Sequence, residues 1–186
     1  VTGEQVQDIP LAELYPFKNH PFKVLDDDAM RDTAESIKEY GVLVPAIARP
    51  RADGGYELIS GHRRKHASEL AGKETMPVIV RALDDDAATI IMVDSNLQRE
   101  NILPSERAFA FKMKLDAMKR QAGRPAKENG GQVDPHSVKG KSRDILAEQV
   151  GESAKQISRY VRLTELIPEL LDMVDAKRIA FNPAVE

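Results

Sequence analysis

The chain has 186 residues, 41% hydrophobic and 31% charged, with a formal net charge of −3. That suits one or two globular domains, and no apolar run approaches the ~18 residues of a membrane span. The absence of cysteine excludes disulfides, thiol catalysis and Cys-ligated zinc and fits a cytoplasmic setting, while 5% aromatics without Trp argue against a stacking platform for single strands.

Residues 9–14 read as a short strand, followed by a Pro-interrupted loop from Tyr15 to Phe22. Asp26, Asp27 and Asp28 suit a helix N-terminus, Met30, Ala34 and Ile37 follow at helical spacing, and Gly41 is a natural stop. The apolar run from Val42 to Arg49 predicts a buried strand. Asp53-Gly54-Gly55 predicts a turn, and Tyr56 to Ile59 the returning strand. A helix is predicted from His62 to Leu70, a strand from Met76 to Arg81, and a helix opened by Asp84-Asp85-Asp86 and running to Asn96. From Pro104 a long helix extends to about Gln121, with Phe109, Met113 and Leu115 to Met118 as its apolar positions. Residues 122–141 are rich in Gly, Pro, Lys and Asn and read as a linker. Helical patterns then resume from Ser142 through Met173. The mixture is α+β: a small mixed-sheet domain over 1–103 and an all-α domain over 104–186.

Charge is distributed unevenly. Residues 1–104 carry a net −6, residues 105–165 a net +5 and residues 166–186 a net −2. Only the middle block would attract a phosphate backbone at long range, although a solvated basic helix surface would look the same.

Two motifs carry chemistry. Ile59-Ser60-Gly61-His62-Arg63-Arg64 puts a glycine between a strand and a helix start. Helix N-termini expose backbone N–H groups, glycine lets a phosphate approach, and guanidinium forks match phosphate oxygens. A glycine turn with two solvated arginines is the plain alternative. His62 and His66 stand four apart, but no HExxH-type Glu accompanies them. The second motif is a helix-turn-helix at about 142–163. Ile145, Leu146 and Val150 face inward, Gly151 makes the turn, and Ser153 caps a second helix with apolar Ile157, Val161 and Leu163. Ser153, Lys155, Gln156, Arg159 and Arg162 form the candidate DNA-contacting set. An ordinary helical hairpin with a basic face is the alternative there.

Three ordered boxes carry a family resemblance. Leu58 to Gly72 (LISGHRRKHASELAG), Asn19 to Phe22 with Ala34 to Pro45 and Arg49-Pro50, and Asn96 to Pro104 (NLQRENILP) resemble the conserved boxes of the ParB/RepB plasmid and chromosome partition family. The resemblance implies a ParB/sulfiredoxin-like fold that binds CTP with Mg²⁺. It places Gly61, Arg63 and Arg64 on the triphosphate, Asn19, Gly41, Val42 and Pro45 around the nucleotide, and Asn96 near the metal. Arg99 and Glu100 belong to the same third box. His62 stands in the nucleotide-binding turn where the family usually has Glu. Ser95 stands where the family has its magnesium-side Glu, so at most weak CTP hydrolysis is implied. The family further implies a palindromic double-stranded DNA site, a homodimer, a ParA-type ATPase partner, nucleoid or plasmid association, and a CTP-dependent clamp on DNA. It also leads one to expect a C-terminal dimerisation segment, which would make this chain a fragment. The alternatives are a helix-turn-helix transcription regulator with a degenerate nucleotide pocket, and a nuclease or phosphotransferase. For a nuclease no carboxylate cluster has metal-ligand spacing. Sulfiredoxin chemistry needs a cysteine the chain lacks. Gly123-Arg124-Pro125 loosely resembles a minor-groove hook.

Overall fold

The computed structural model describes residues 5–99, 101–123 and 142–186. They fall into two compact units, Val1–Asp84 and Asp85–Glu186.

The first unit contains β1 (Val6–Pro10), a 3-10 turn (Leu11–Glu13), β2 (Leu14–Tyr15), α1 (Asp28–Tyr40), β3 (Ala46–Pro50), β4 (Tyr56–Ser60), α2 (His62–Leu70) and β5 (Thr75–Val80). The five strands form one sheet in the order β1-β5-β3-β4-β2. The pairings β1–β5 and β3–β4 are antiparallel, and β3–β5 and β2–β4 are parallel. Only the 3-10 turn separates β1 from β2, yet these strands occupy opposite edges. The stretch from Pro10 to Leu14 reaches at most ~14 Å. A flat five-stranded sheet would hold its edges roughly 19 Å apart. The sheet must therefore curl, and Ile9, Leu11, Leu14, Ala46, Ala48, Leu58, Met76 and Val78 fill its core. Asp27 caps α1 by accepting the Met30 N–H at 2.8 Å. Met30, Ala34 and Ile37 form the buried face of α1 and pack on Ala67 of α2.

The second unit is helical: α3 (Asp85–Leu97), α4 (Pro104–Gly123), α5 (Ser142–Val150), α6 (Ala154–Leu163), α7 (Pro168–Asp175) and α8 (Phe181–Ala184). α4 is its axis. Phe111 and Leu115 pack with Leu146, Ala147 and Ile157, while Ala108 packs with Leu163, Leu171 and Val185. Two ion pairs tie α3 to α4, from Asp86 to Arg120 at 2.7 Å and from Asp94 to Lys114 at 2.5 Å. No helix among the described residues is long and apolar enough to cross a membrane.

Three expectations are revised. The strand expected from Val42 begins only at Ala46, and Leu43 and Val44 are exposed. The first strand begins earlier than expected, at Val6, and residues 11–13 form the 3-10 turn. On α4 it is Phe111 that is buried, while Phe109 is exposed. α3 packs along α4, and the compact units part at Asp84/Asp85. Most of the expected linker, residues 124–141 with Arg124 and Pro125 of the hook, lies outside the described residues, as does Glu100.

Candidate functional site

In the first unit the candidate residues gather around the N-terminus of α2. Gly61 precedes it with φ 108°. A Cβ there would meet the Ala46 Cβ at 2.8 Å, so both backbone conformation and strand packing demand glycine. Gly61 also offers no side chain to cap α2, which leaves the first-turn N–H groups to water or a ligand.

Two loops are bound to this turn. His62 Nε2 accepts the Phe17 N–H at 3.4 Å, and the His62 ring stacks on His20 with centroids 3.9 Å apart. His20 Nδ1–H donates to the Phe22 carbonyl at 2.8 Å, and the Lys18 N–H donates to Glu57. These bonds fix the segment holding Asn19, whose φ of 57° is left-handed. Burial, followed by electrostatic interaction with the neighbouring His20 and Lys65, pushes the pKa of His62 down to about 3. At neutral pH the ring is therefore a neutral clasp, whereas the family's Glu would bring a negative charge.

Arg64 holds the other loop. Its Nη1 donates to the carbonyls of Val44 and Pro45 at 2.5 and 2.8 Å. Burial lowers its pKa from the ordinary value, and the carbonyl dipoles keep the charge satisfied. Arg64 thus braces the Gly41–Pro45 segment, where Val42 packs inward against the buried face of α1. Arg63 behaves differently. Its Nη2 lies 3.4 Å from Asp27, a weak contact between two part-exposed groups. The Met30 N–H, and after it Arg63, hold the Asp27 carboxyl below its ordinary range. His66 pairs with Asp26 and lies 3.5 Å from Glu69, so the two histidines of α2 have separate partners. Asp26 and Asp27 were legible as a helix start but not as partners of α2, because that pairing is tertiary. His20 lies between Asn19 and Phe22, and its ring contact with His62 is equally tertiary.

Asn96 and Arg99 belong to the second unit. The Asn96 Nδ2–H donates to the Met92 carbonyl at 2.8 Å, leaving Oδ1 as its metal-type donor. The Ser95 hydroxyl donates to the same carbonyl at 2.9 Å. The Arg99 N–H donates to the Asn96 carbonyl at 3.1 Å. Among the described residues no group of three or more His, Asp or Glu is placed to hold a metal. A magnesium ion would have to take most of its ligands from nucleotide phosphates and water.

The helix-turn-helix is formed by α5 and α6. Gly151, at φ 69°, makes the turn. The Ser153 Oγ accepts the Gln156 N–H at 3.1 Å, so this hydroxyl is committed to capping. Leu146, Ile157 and Leu163 are buried, while Lys155 and Arg162 are exposed and Gln156 and Arg159 half-buried. α6 thus carries its basic side chains on the face away from its core.

A family model described as the ParB N-terminal domain matches residues 1–97. The chain is 30% identical over 98% of its length to a chromosome-partitioning protein Spo0J of Thermus thermophilus, covering 60% of that protein. It is 32% identical over 95% of its length to the stage 0 sporulation protein J of Bacillus subtilis, covering 55%. The chain therefore spans somewhat over half the length of these relatives. Among solved structures, a C-terminally truncated chromosome-partitioning protein ParB from Caulobacter crescentus, complexed to the centromeric parS site, matches with a TM-score of 0.59 at 23% identity, covering 96% of this chain and 82% of that one. A Pnob8-like ParB-N domain matches with a TM-score of 0.61 at 20% identity, covering 97% and 78%. These two likenesses concern the fold.

Proposed function

Since the chain belongs to the ParB family, we propose that it is a site-specific DNA-binding partition protein whose first unit binds CTP with Mg²⁺. The observation that carries the nucleotide reading is the uncapped N-terminus of α2, with Arg63 beside it and the Asn19 and Gly41–Pro45 segments fastened around it. Helix-terminal N–H groups and a weakly paired guanidinium suit phosphate oxygens. In this reading Arg63 binds phosphate, whereas Arg64 and His62 shape the pocket. Asn96 supplies one metal ligand, and Ser95 contributes no carboxylate, so hydrolysis is weak.

The DNA reading rests on the capped, basic α6, presented by α5 and α4 as a recognition helix for a palindromic duplex. The relatives named for chromosome partitioning support it. A two-fold DNA site calls for a homodimer, and partition calls for a motor partner of the ParA type in the cytoplasm, at a nucleoid or plasmid. CTP would act by favouring one conformer of the N-terminal region, closing the dimer on DNA as a clamp.

A regulator indifferent to nucleotide is the second reading. The neutral His62 ring against His20 in place of a carboxylate, and the bonds of Arg64 to backbone carbonyls, favour it.

Calorimetric titration of CTP with Mg²⁺, against ATP, GTP and UTP, separates the two. CTP-selective binding in the wild type that falls at least about tenfold in Arg63→Ala is the expected result, since a charged hydrogen bond is worth ~1.5–3 kcal/mol. No binding of any nucleotide, with or without DNA, would leave the regulator reading. Ser95→Glu, assayed for phosphate release, tests whether the missing carboxylate limits hydrolysis.

A further inference from the structure

The helix-turn-helix ends at Leu163, but one of its candidate reading side chains is held from further along the chain. Arg159 Nη2 donates to Asn182 Oδ1 at 2.7 Å, and its guanidinium carbon lies 5.3 Å from the centre of the Phe181 ring. Both partners sit on α8. Phe181 packs on Tyr160 with centroids 4.7 Å apart, and Tyr160 packs edge-on against Phe111 of α4 at 5.6 Å. Val185, just beyond α8, is buried against Ala108, Leu163 and Leu171. This short turn is therefore fixed to the unit's core rather than hanging from it.

We infer that α8 is a specificity element of the DNA-reading surface: Asn182 and Phe181 are positioning residues that hold the Arg159 guanidinium as a preorganised fork for a guanine edge. The inference rests on the DNA-binding reading above. An unrestrained arginine loses much rotamer freedom when it docks, and restraint before binding removes part of that cost. Asn182 engages only one nitrogen, and the fork's remaining N–H groups suit the O6 and N7 acceptors of guanine. Arg162 is held more loosely, donating to the Glu186 carbonyl at 3.3 Å, and Lys155 is exposed, which fits phosphate contact rather than base reading. The bare sequence of α6 cannot distinguish these cations.

The test uses the chain as it is, with duplexes bearing the parS site and a pool of duplexes with a randomised core. Affinity is measured for wild type, Asn182→Ala, Phe181→Leu, Arg159→Ala and each α8 variant combined with Arg159→Ala. The expected result is an about fivefold loss for each α8 variant, with weaker preference at one guanine position of the selected site and an unchanged melting temperature. In the Arg159→Ala background neither α8 substitution costs anything more, a coupling that mere structural support would not give. The inference is overturned if wild type binds a selected duplex and Asn182→Ala matches it, or if the α8 losses persist without Arg159. If wild type selects no sequence and binds neither probe, the DNA-binding reading itself fails, and this inference with it.

Discussion

His62 shows how one residue can keep a position while changing its charge. In the unfolded chain it titrates near 6.5, and in the fold near 3, so between these values the unfolded state binds more protons. The stabilisation from the buried neutral ring is complete above about pH 6.5 and is lost as pH falls toward 3. Denaturant melts at pH 7 and pH 4.5 should therefore differ more for wild type than for His62→Gln, which keeps a polar side chain without a proton to gain. Equal pH dependence in the two proteins would contradict the buried, neutral assignment. The adjacent arginines divide in the same way. G-x-R-R reads as two phosphate forks; in the fold Arg64 Nη1 donates to the Val44 and Pro45 carbonyls, while Arg63 Nη2 makes a long contact with Asp27. Sequence names the residue types, and only the loop geometry separates their roles.

At the scale of elements, what local chemistry dictates was legible. The Asp27 cap, the Met30, Ala34 and Ile37 face and the Gly41 stop of α1 stand as read, as do Gly151 and the Ser153 cap of α6. What failed depends on tertiary partners. Val42 to Val44 is apolar enough for a strand, yet Leu43 and Val44 lie exposed in a loop whose Val44 carbonyl accepts from Arg64. On α4, Lys114 occupies a buried position that no periodicity argument would give to a lysine. Its side chain is 2% exposed, with Asp94 of α3 at 2.5 Å and Gln149 of α5 at 2.6 Å. Lys114 thus joins three helices, including the first helix of the helix-turn-helix. Removing one partner of a buried pair leaves an uncompensated charge, though half-exposed Asp94 is partly screened by water. Asp94→Ala should therefore destabilise the protein by ~2 kcal/mol, and Lys114→Met, which removes the charge and keeps the volume, by less. Urea denaturation measures both. The reverse order would mean that the ion pair is not what holds α3 to α4.

On the whole-molecule scale, a net charge of −3 conceals an acidic stretch over residues 1–104 and a basic block over residues 105–165. Asp84-Asp85-Asp86 reads from the sequence only as a helix start, and the compact units part at Asp84/Asp85. In the fold, Asp86 pairs with Arg120 and commits α3 to the helical unit. The helix carrying Asn96 thus belongs to the same unit as the DNA-reading helix α6, while Gly61 and Arg63 lie in the other. The most direct test of the account is the affinity of the chain for a palindromic duplex selected from a random pool, against its scrambled counterpart, with and without CTP and Mg²⁺. The account predicts selective binding that CTP changes severalfold in wild type and leaves unaltered in Arg63→Ala. Selective binding indifferent to CTP, or no selectivity for any duplex, would contradict it.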